Sequence, residues 1–110
     1  MSAGARVLII DDEEIVLDVC REILEGDNYT VATASDGAQG LRLAEEFGPD
    51  VVFVDLKMPG LSGFEVLERL RTRDPSIVPI VITGYATLAS AVEAMQKGAY
   101  DFVPKPFTPE

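Results

Sequence analysis

Alternation is the feature that most constrains this chain. Five short apolar runs are separated by four longer stretches in which apolar residues return every three or four positions. The runs are Arg6-Val7-Leu8-Ile9-Ile10, Tyr29 to Ala34, Val51 to Val54, Pro79 to Ile82 and Asp101 to Val103. Each is too short for a stable helix and is rich in β-branched residues, so each reads as a strand. The continuous run Val51-Val52-Phe53-Val54 predicts a strand covered on both faces.

The intervening stretches read as helices. From Glu13 to Gly26, Ile15, Val16, Val19, Cys20, Ile23 and Leu24 make one apolar face. Asp36 is placed to cap a helix running to about Phe47, with Leu41, Ala44 and Phe47 inward and Gly48-Pro49 as its stop. Met58-Pro59-Gly60-Leu61-Ser62-Gly63 is a loop by composition. A helix follows from about Phe64 to Arg73, with Phe64, Leu67 and Leu70 inward and a Glu65–Arg69 pair outside. The last helix spans Thr87 to Lys97, with Leu88, Val92 and Met95 expected inward and Gly98 as its stop.

The order is therefore βαβαβαβαβ. Alternation with short connections implies a parallel sheet with helices on both faces. A chain of 110 residues has room for one domain, and no repeat, low-complexity segment or linker divides it. No apolar run approaches the length of a membrane span, and the segment before Val7 lacks the apolar stretch of a signal peptide.

Charge and composition exclude several functions. The chain has 9 basic and 19 acidic side chains, net −10, which argues against a nucleic-acid-binding surface. It contains no histidine and one cysteine, Cys20. That removes His-based acid–base catalysis, His-ligated metals, disulfides and cysteine-rich zinc sites. Cys20 lies on the apolar helix face and reads as core. These features together point to a cytoplasmic protein.

The polar residues that directly follow the strands suggest a site. In open α/β sheets, ligands bind beyond the carboxyl ends of the strands. Asp11 and Asp12 follow Ile10, Asp55 follows Val54, Thr83 follows Ile82, and Lys105 comes shortly after Val103. If the first and third strands are neighbours, three carboxylates converge. Such a cluster needs a cation or must take up protons. With only oxygen ligands on offer, Mg²⁺ fits best. Mg²⁺, a lysine and a hydroxyl together suit a phosphoryl group, and a central aspartate can serve as its nucleophile. The acids Asp11-Asp12-Glu13-Glu14 also suit a helix start, where they complement the macrodipole.

Four segments carry a family resemblance: Ile10-Asp11-Asp12-Glu13, Val54-Asp55-Leu56-Lys57-Met58-Pro59-Gly60, Ile82-Thr83-Gly84-Tyr85-Ala86 and Lys105-Pro106-Phe107. In that order they resemble the receiver domains of bacterial two-component response regulators, over nearly the whole chain. The stretch from Thr83 through Gly98-Ala99-Tyr100-Asp101-Phe102 looks most like receivers of nitrogen-regulation-type transcription activators. The resemblance implies a flavodoxin-like (CheY-like), doubly wound five-stranded parallel sheet of order 2-1-3-4-5. It implies a signalling switch rather than an enzyme: a partner sensor histidine kinase supplies a phosphoryl group to Asp55. Asp12 and Asp55 would ligate Mg²⁺ (or Mn²⁺ in its place) together with the backbone carbonyl of Lys57, and Asp11 would act through a metal-bound water. Thr83 and Lys105 would hold the phosphoryl oxygens. Thr83 and Phe102 would be the switch pair, controlling an output domain or downstream effector. A cis bond at Lys105-Pro106 is implied as well.

The chain departs from the family pattern at its end, where a fifth helix is expected and only three residues follow Phe107. Residues 1–110 therefore read as a C-terminally truncated receiver domain whose sheet lacks one cover. An exposed apolar patch there favours self-association. Common receiver dimers use the fourth helix, fifth strand and fifth helix, so a homodimer is expected only in an altered mode. Lys57 and Tyr85, two residues beyond Asp55 and Thr83, are placed to obstruct water and slow loss of the phosphoryl group. Four rivals are disfavoured. A binding module that keeps the fold but is never phosphorylated would need none of the acidic pair, Asp55, Thr83 and Lys105. An aspartyl phosphatase needs a second acid where Lys57 stands. A nucleotide switch needs a GxxxxGK[ST] loop. A flavin carrier would meet repelling acids after its first strand.

Overall fold

The structure, a computed structural model, describes residues 4–105. The Lys105-Pro106 bond, Phe107 and the expected cis geometry lie outside the described residues. Five strands and four helices alternate: β1 Arg6–Ile10, α1 Glu14–Gly26, β2 Thr30–Ala34, α2 Gly37–Phe47, β3 Val51–Val54, α3 Gly63–Arg73, β4 Val78–Thr83, α4 Leu88–Gln96 and β5 Asp101–Pro104. The strands form one parallel sheet of order β2-β1-β3-β4-β5. Strand order thus reverses beside β1, with β3 on its other side, as the flavodoxin-like reading requires.

The caps behave as the sequence suggests. Asp36 accepts the N–H of Gln39 and begins α2, and Gly48 ends it in the left-handed region at φ 65°. Ser62 and Glu65 form a reciprocal capping box at α3. That use of Glu65 replaces the expected Glu65–Arg69 pair: the carboxylate turns back to the Ser62 N–H at 3.3 Å, where it satisfies a helix-end donor.

Two clusters make the core. The larger joins Leu8, Ile10, Val52, Val54 and Val81 of the sheet to Leu41 of α2, Leu67 and Leu70 of α3, and Ala94 of α4. The smaller joins Val7, Ile9 and Val31 to Leu17 of α1, with Cys20, Leu24 and Phe53 packed against it. β3 is not covered equally on both faces, contrary to the reading of its apolar run. Val52 and Val54 are buried, whereas Val51 and Phe53 are half-buried. The reason is that α2, α3 and α4 contribute to the larger cluster, while α1 alone among the described helices contributes to the smaller.

Two helices are rotated from the sequence expectation. In α1, Val16 and Leu17 are the buried residues, while Ile15 and Ile23 are 69% and 59% exposed. The apolar arc is wider than the strip that β1 and β2 can cover. In α4, Leu88, Val92 and Met95 face outward and Ser90 and Ala94 are buried. Small side chains let α4 approach the sheet closely, and polar bonds fix its rotation. Ser90 Oγ accepts the Thr87 N–H at 3.0 Å and lies 2.8 Å from the Tyr85 carbonyl, to which its hydroxyl donates. Gly98, at φ 113°, follows the end of α4 as expected.

Candidate functional site

Backbone hydrogen bonds carry the sheet one step past its strands and so place the site residues. The Asp11 N–H donates to Ala34 O at 3.1 Å, Asp55 N–H to Ile10 O at 3.0 Å, and Lys105 N–H to Thr83 O at 2.9 Å. Asp11, Asp55, Thr83 and Lys105 therefore share the carboxyl edge of the sheet, on neighbouring strands. Gly63 makes room beneath Asp55. A Cβ there would stand 2.1 Å from the Asp55 carbonyl oxygen, so only glycine lets α3 begin this close.

Asp11 and Asp55 are buried, and Asp12 is exposed beside them. One carboxylate oxygen from each lies within 4.8 Å of the others. Asp11 Oδ1 accepts the Glu13 N–H at 2.9 Å. Its Oδ2 lies 3.2 Å from the Lys105 ammonium. Lys105 also hydrogen-bonds Asp55 Oδ2 at 3.3 Å and the Glu13 carboxylate. Asp55 Oδ1 is buried without any hydrogen-bond partner. Thr83 is buried, and its Oγ1 accepts the Tyr85 N–H at 3.0 Å. Phe102, half-buried on β5 beside Val81, packs against the larger cluster.

Asp55, Thr83 and Lys105 line a cavity of about 410 Å³, together with Asp12, Glu13, Ile15, Val16, Val19, Lys57, Gly84 and Tyr85. The Lys57 ammonium stands 4.4 Å from the centre of the Tyr85 ring at its mouth.

Burial is the main reason that the Asp11 carboxyl is pushed up to about 6. The Glu13 N–H opposes that shift, the charge of Asp55 adds to it, and Lys105 opposes it. Burial pulls Lys105 down, but its bond to Glu13 and the charges of Asp11 and Asp55 prevail and hold it above the ordinary lysine range. Lys105 is therefore charged at any physiological pH. Burial likewise pushes up the half-buried Cys20 thiol, which stays protonated and unreactive.

The donor set fits a hard divalent cation. It offers only oxygens, and one of them, Asp55 Oδ1, is buried with nothing to satisfy it. Asp11 Oδ2 is likewise buried without a hydrogen-bond partner and has only the Lys105 charge 3.2 Å away, so Asp11 and Asp55 each present one unsatisfied oxygen beside the exposed Asp12.

Every residue singled out from the sequence lies at this edge, except Phe102, which stands beneath it on β5. Glu13 is the participant that sequence reasoning valued only as a helix-start acid. Its partner, Lys105, comes from the far end of the chain, and no local pattern signals that pairing.

The family model for the response regulator receiver domain matches residues 7–110. The chain is 36% identical over 105 residues to the alginate biosynthesis transcriptional regulatory protein AlgB of Pseudomonas aeruginosa, covering 96% of this chain and 23% of that protein. It is 36% identical over 101 residues to the DNA-binding transcriptional regulator NtrC of Escherichia coli, covering 92% and 22%. The chain thus spans under a quarter of the length of these relatives. A response regulator receiver domain protein from Clostridium thermocellum has a solved structure similar at TM-score 0.87 and 39% identity, covering 96% of this chain and 85% of that one.

Proposed function

This chain belongs to the response regulator receiver domain family, and on that footing we propose that it is a phosphoacceptor switch whose acceptor is Asp55. The observation that carries the reading is Asp55 Oδ1: buried, unpartnered, and set among an acidic pair, a threonine and a charged lysine. In the transfer, an Asp55 carboxylate oxygen forms a bond to phosphorus as the bond from phosphorus to the donor's imidazole nitrogen breaks. The electron pair of that bond stays on the nitrogen. A sensor histidine kinase supplies the imidazole, which this histidine-free chain lacks. The chain assists transfer to itself and slow hydrolysis afterwards, and it turns over no substrate.

Asp12 and Asp55, with the Lys57 carbonyl, would hold Mg²⁺, and Asp11 would reach it through water. When bound, the ion neutralises charge on the transferring phosphoryl oxygens. Lys105 pairs with those oxygens and Thr83 donates its hydroxyl to one of them. The same hydroxyl oxygen accepts the Tyr85 N–H, and this links the site to the loop before α4. Phe102 turns further inward as Thr83 moves, which completes a population shift. α4 suits such a shift because it fully buries only Ser90 and Ala94.

In this reading residues 1–110 act as one receiver domain in the cytoplasm. They control an output domain or downstream effector and make no direct nucleic-acid contact. Among the described residues no helix is long and apolar enough to cross a membrane. The test is intact mass after incubation with acetyl phosphate and Mg²⁺. One phosphoryl adduct, absent from Asp55→Asn and absent without Mg²⁺, supports the assignment. An adduct that persists in Asp55→Asn refutes it.

A further inference from the structure

Lys105 has three acidic partners, and they are not equivalent. An ammonium carries three N–H donors, and here Asp11, Glu13 and Asp55 surround them. The Asp11 and Asp55 side chains are 0% and 5% exposed, whereas that of Glu13 is 56% exposed. The Glu13 backbone is fixed. Its N–H is tied to Asp11 Oδ1, and its carbonyl accepts the N–H groups of Val16 and Leu17 at the start of α1. Only its side chain is free to choose between the lysine and water.

In the resting protein the Lys105 ammonium hydrogen-bonds Glu13 and Asp55 and stands 3.2 Å from Asp11 Oδ2 without a hydrogen bond to it. A phosphoryl group arriving on Asp55 brings oxygens that need donors; the Asp55 contact passes to those oxygens, and they draw the ammonium away from its other two partners. Releasing Asp11 would strand a buried charge, which is costly. Releasing Glu13 costs little, because its carboxylate can be rehydrated where it stands. We propose that Glu13 is a positioning residue that holds the Lys105 ammonium in the resting protein and competes with the phosphoryl group for it. Its grip thereby sets how readily Asp55 is phosphorylated. This rests on the assignment of Asp55 as acceptor. Glu14 provides the matched control: it is the adjacent acid, exposed, in the first turn of α1, and it makes no ion pair with Lys105.

The experiment compares wild type, Glu13→Gln, Glu14→Gln and Asp55→Asn. The rate of phosphoryl uptake from acetyl phosphate with Mg²⁺ is followed by intact mass. Glu13→Gln is expected to take up phosphoryl about fivefold faster than wild type, the scale of a half-exposed ion pair. Glu14→Gln, with the same charge change, stays within about twofold. A second readout needs no phosphoryl donor. The chain has only three lysines, Lys57, Lys97 and Lys105, so their side-chain ammonium resonances in the metal-free protein are easily told apart. The Lys105 resonance should shift and exchange faster in Glu13→Gln and stay put in Glu14→Gln. Equal acceleration in both variants would reduce the effect to general charge at the cavity mouth and overturn the proposal. Slower uptake in Glu13→Gln, or an unmoved Lys105 resonance, would overturn it as well. If wild type takes no phosphoryl group on Asp55, the site assignment falls and the competition with it. The lysine spectrum would then tell separately whether the pair had been read correctly.

Discussion

The Lys57 ammonium stands over the Tyr85 ring, 4.4 Å from its centre, and so joins the loop after β3 to the loop after β4 across the mouth of the acidic cavity. Both side chains line the cavity that holds Asp55, where they are placed to hinder water that attacks a phosphoryl group there. Lys57→Ala with Tyr85→Ala should therefore speed hydrolysis of the Asp55 phosphoryl group by about three- to tenfold, a barrier change of about 0.7–1.4 kcal/mol. Loss of the adduct, followed by mass after removing the donor, measures this. An unchanged half-life would dismiss the barrier.

Asp11 makes the metal-free protein less stable as pH rises. Its carboxyl is pushed from 3.8 to about 6 by folding, so the folded state binds the extra proton between those values. The stability it contributes is fully present below pH 3.8 and is lost as pH rises through about 6. Asp11→Asn keeps an acceptor for the Glu13 N–H and removes the buried charge. It should stabilise the metal-free protein on the order of 2 kcal/mol at pH 7.5, and much less near pH 4. Urea denaturation at both pH values checks the difference. Added Mg²⁺ should raise the melting temperature of wild type more at pH 7.5 than at pH 5, because Asp11 must shed its proton for the cation to bind well.

Gly63 and Gly40 should respond differently to alanine. At Gly63 the new methyl meets backbone, 2.1 Å from the Asp55 carbonyl oxygen and 2.6 Å from Leu56 Cα. At Gly40 it meets only side chain, the buried Ile10, with Cδ1 at 2.4 Å and Cγ1 at 2.7 Å, so Ile10 has to shift as a whole. Gly63→Ala should cost about 3 kcal/mol and disturb the Asp55 loop, while Gly40→Ala should cost about 1–2 kcal/mol and leave that loop in place. Thermal melts and phosphoryl uptake of the two variants, side by side, decide it.

The rotation of α4 is open to a direct test. Leu88 is 83% exposed and Ala94 fully buried. Leu88→Ser should leave stability within about 0.5 kcal/mol of wild type. Ala94→Leu should destabilise by about 1–3 kcal/mol through overpacking. The reverse ranking in denaturant titrations would restore the rotation that hydrophobic periodicity alone suggests.

The amino-acid sequence determined the element order, and the observed bounds lie within about two residues of those read from periodicity and caps. It also placed Asp11, Asp55 and Lys105 just beyond strands, and Thr83, read as following its strand, is the last residue of β4. This information is local: a strand's apolar run and the first polar residue after it are adjacent in the chain. Tertiary structure decided what periodicity cannot weigh. Leu88, Val92 and Met95 form the more apolar stripe of α4, yet Ser90 and Ala94 face the sheet, because close approach favours small side chains and the Ser90 hydroxyl is held by Tyr85 and Thr87. α1 likewise exposes Ile15 and Ile23, because the area offered by neighbouring elements, not the width of its apolar arc, limits burial. The meeting of Glu13 with Lys105 was decided in the same way. The β2-β1-β3-β4-β5 order brings the last strand's lysine over to the end of the first strand, and which acid receives it depends on side-chain reach and exposure in three dimensions.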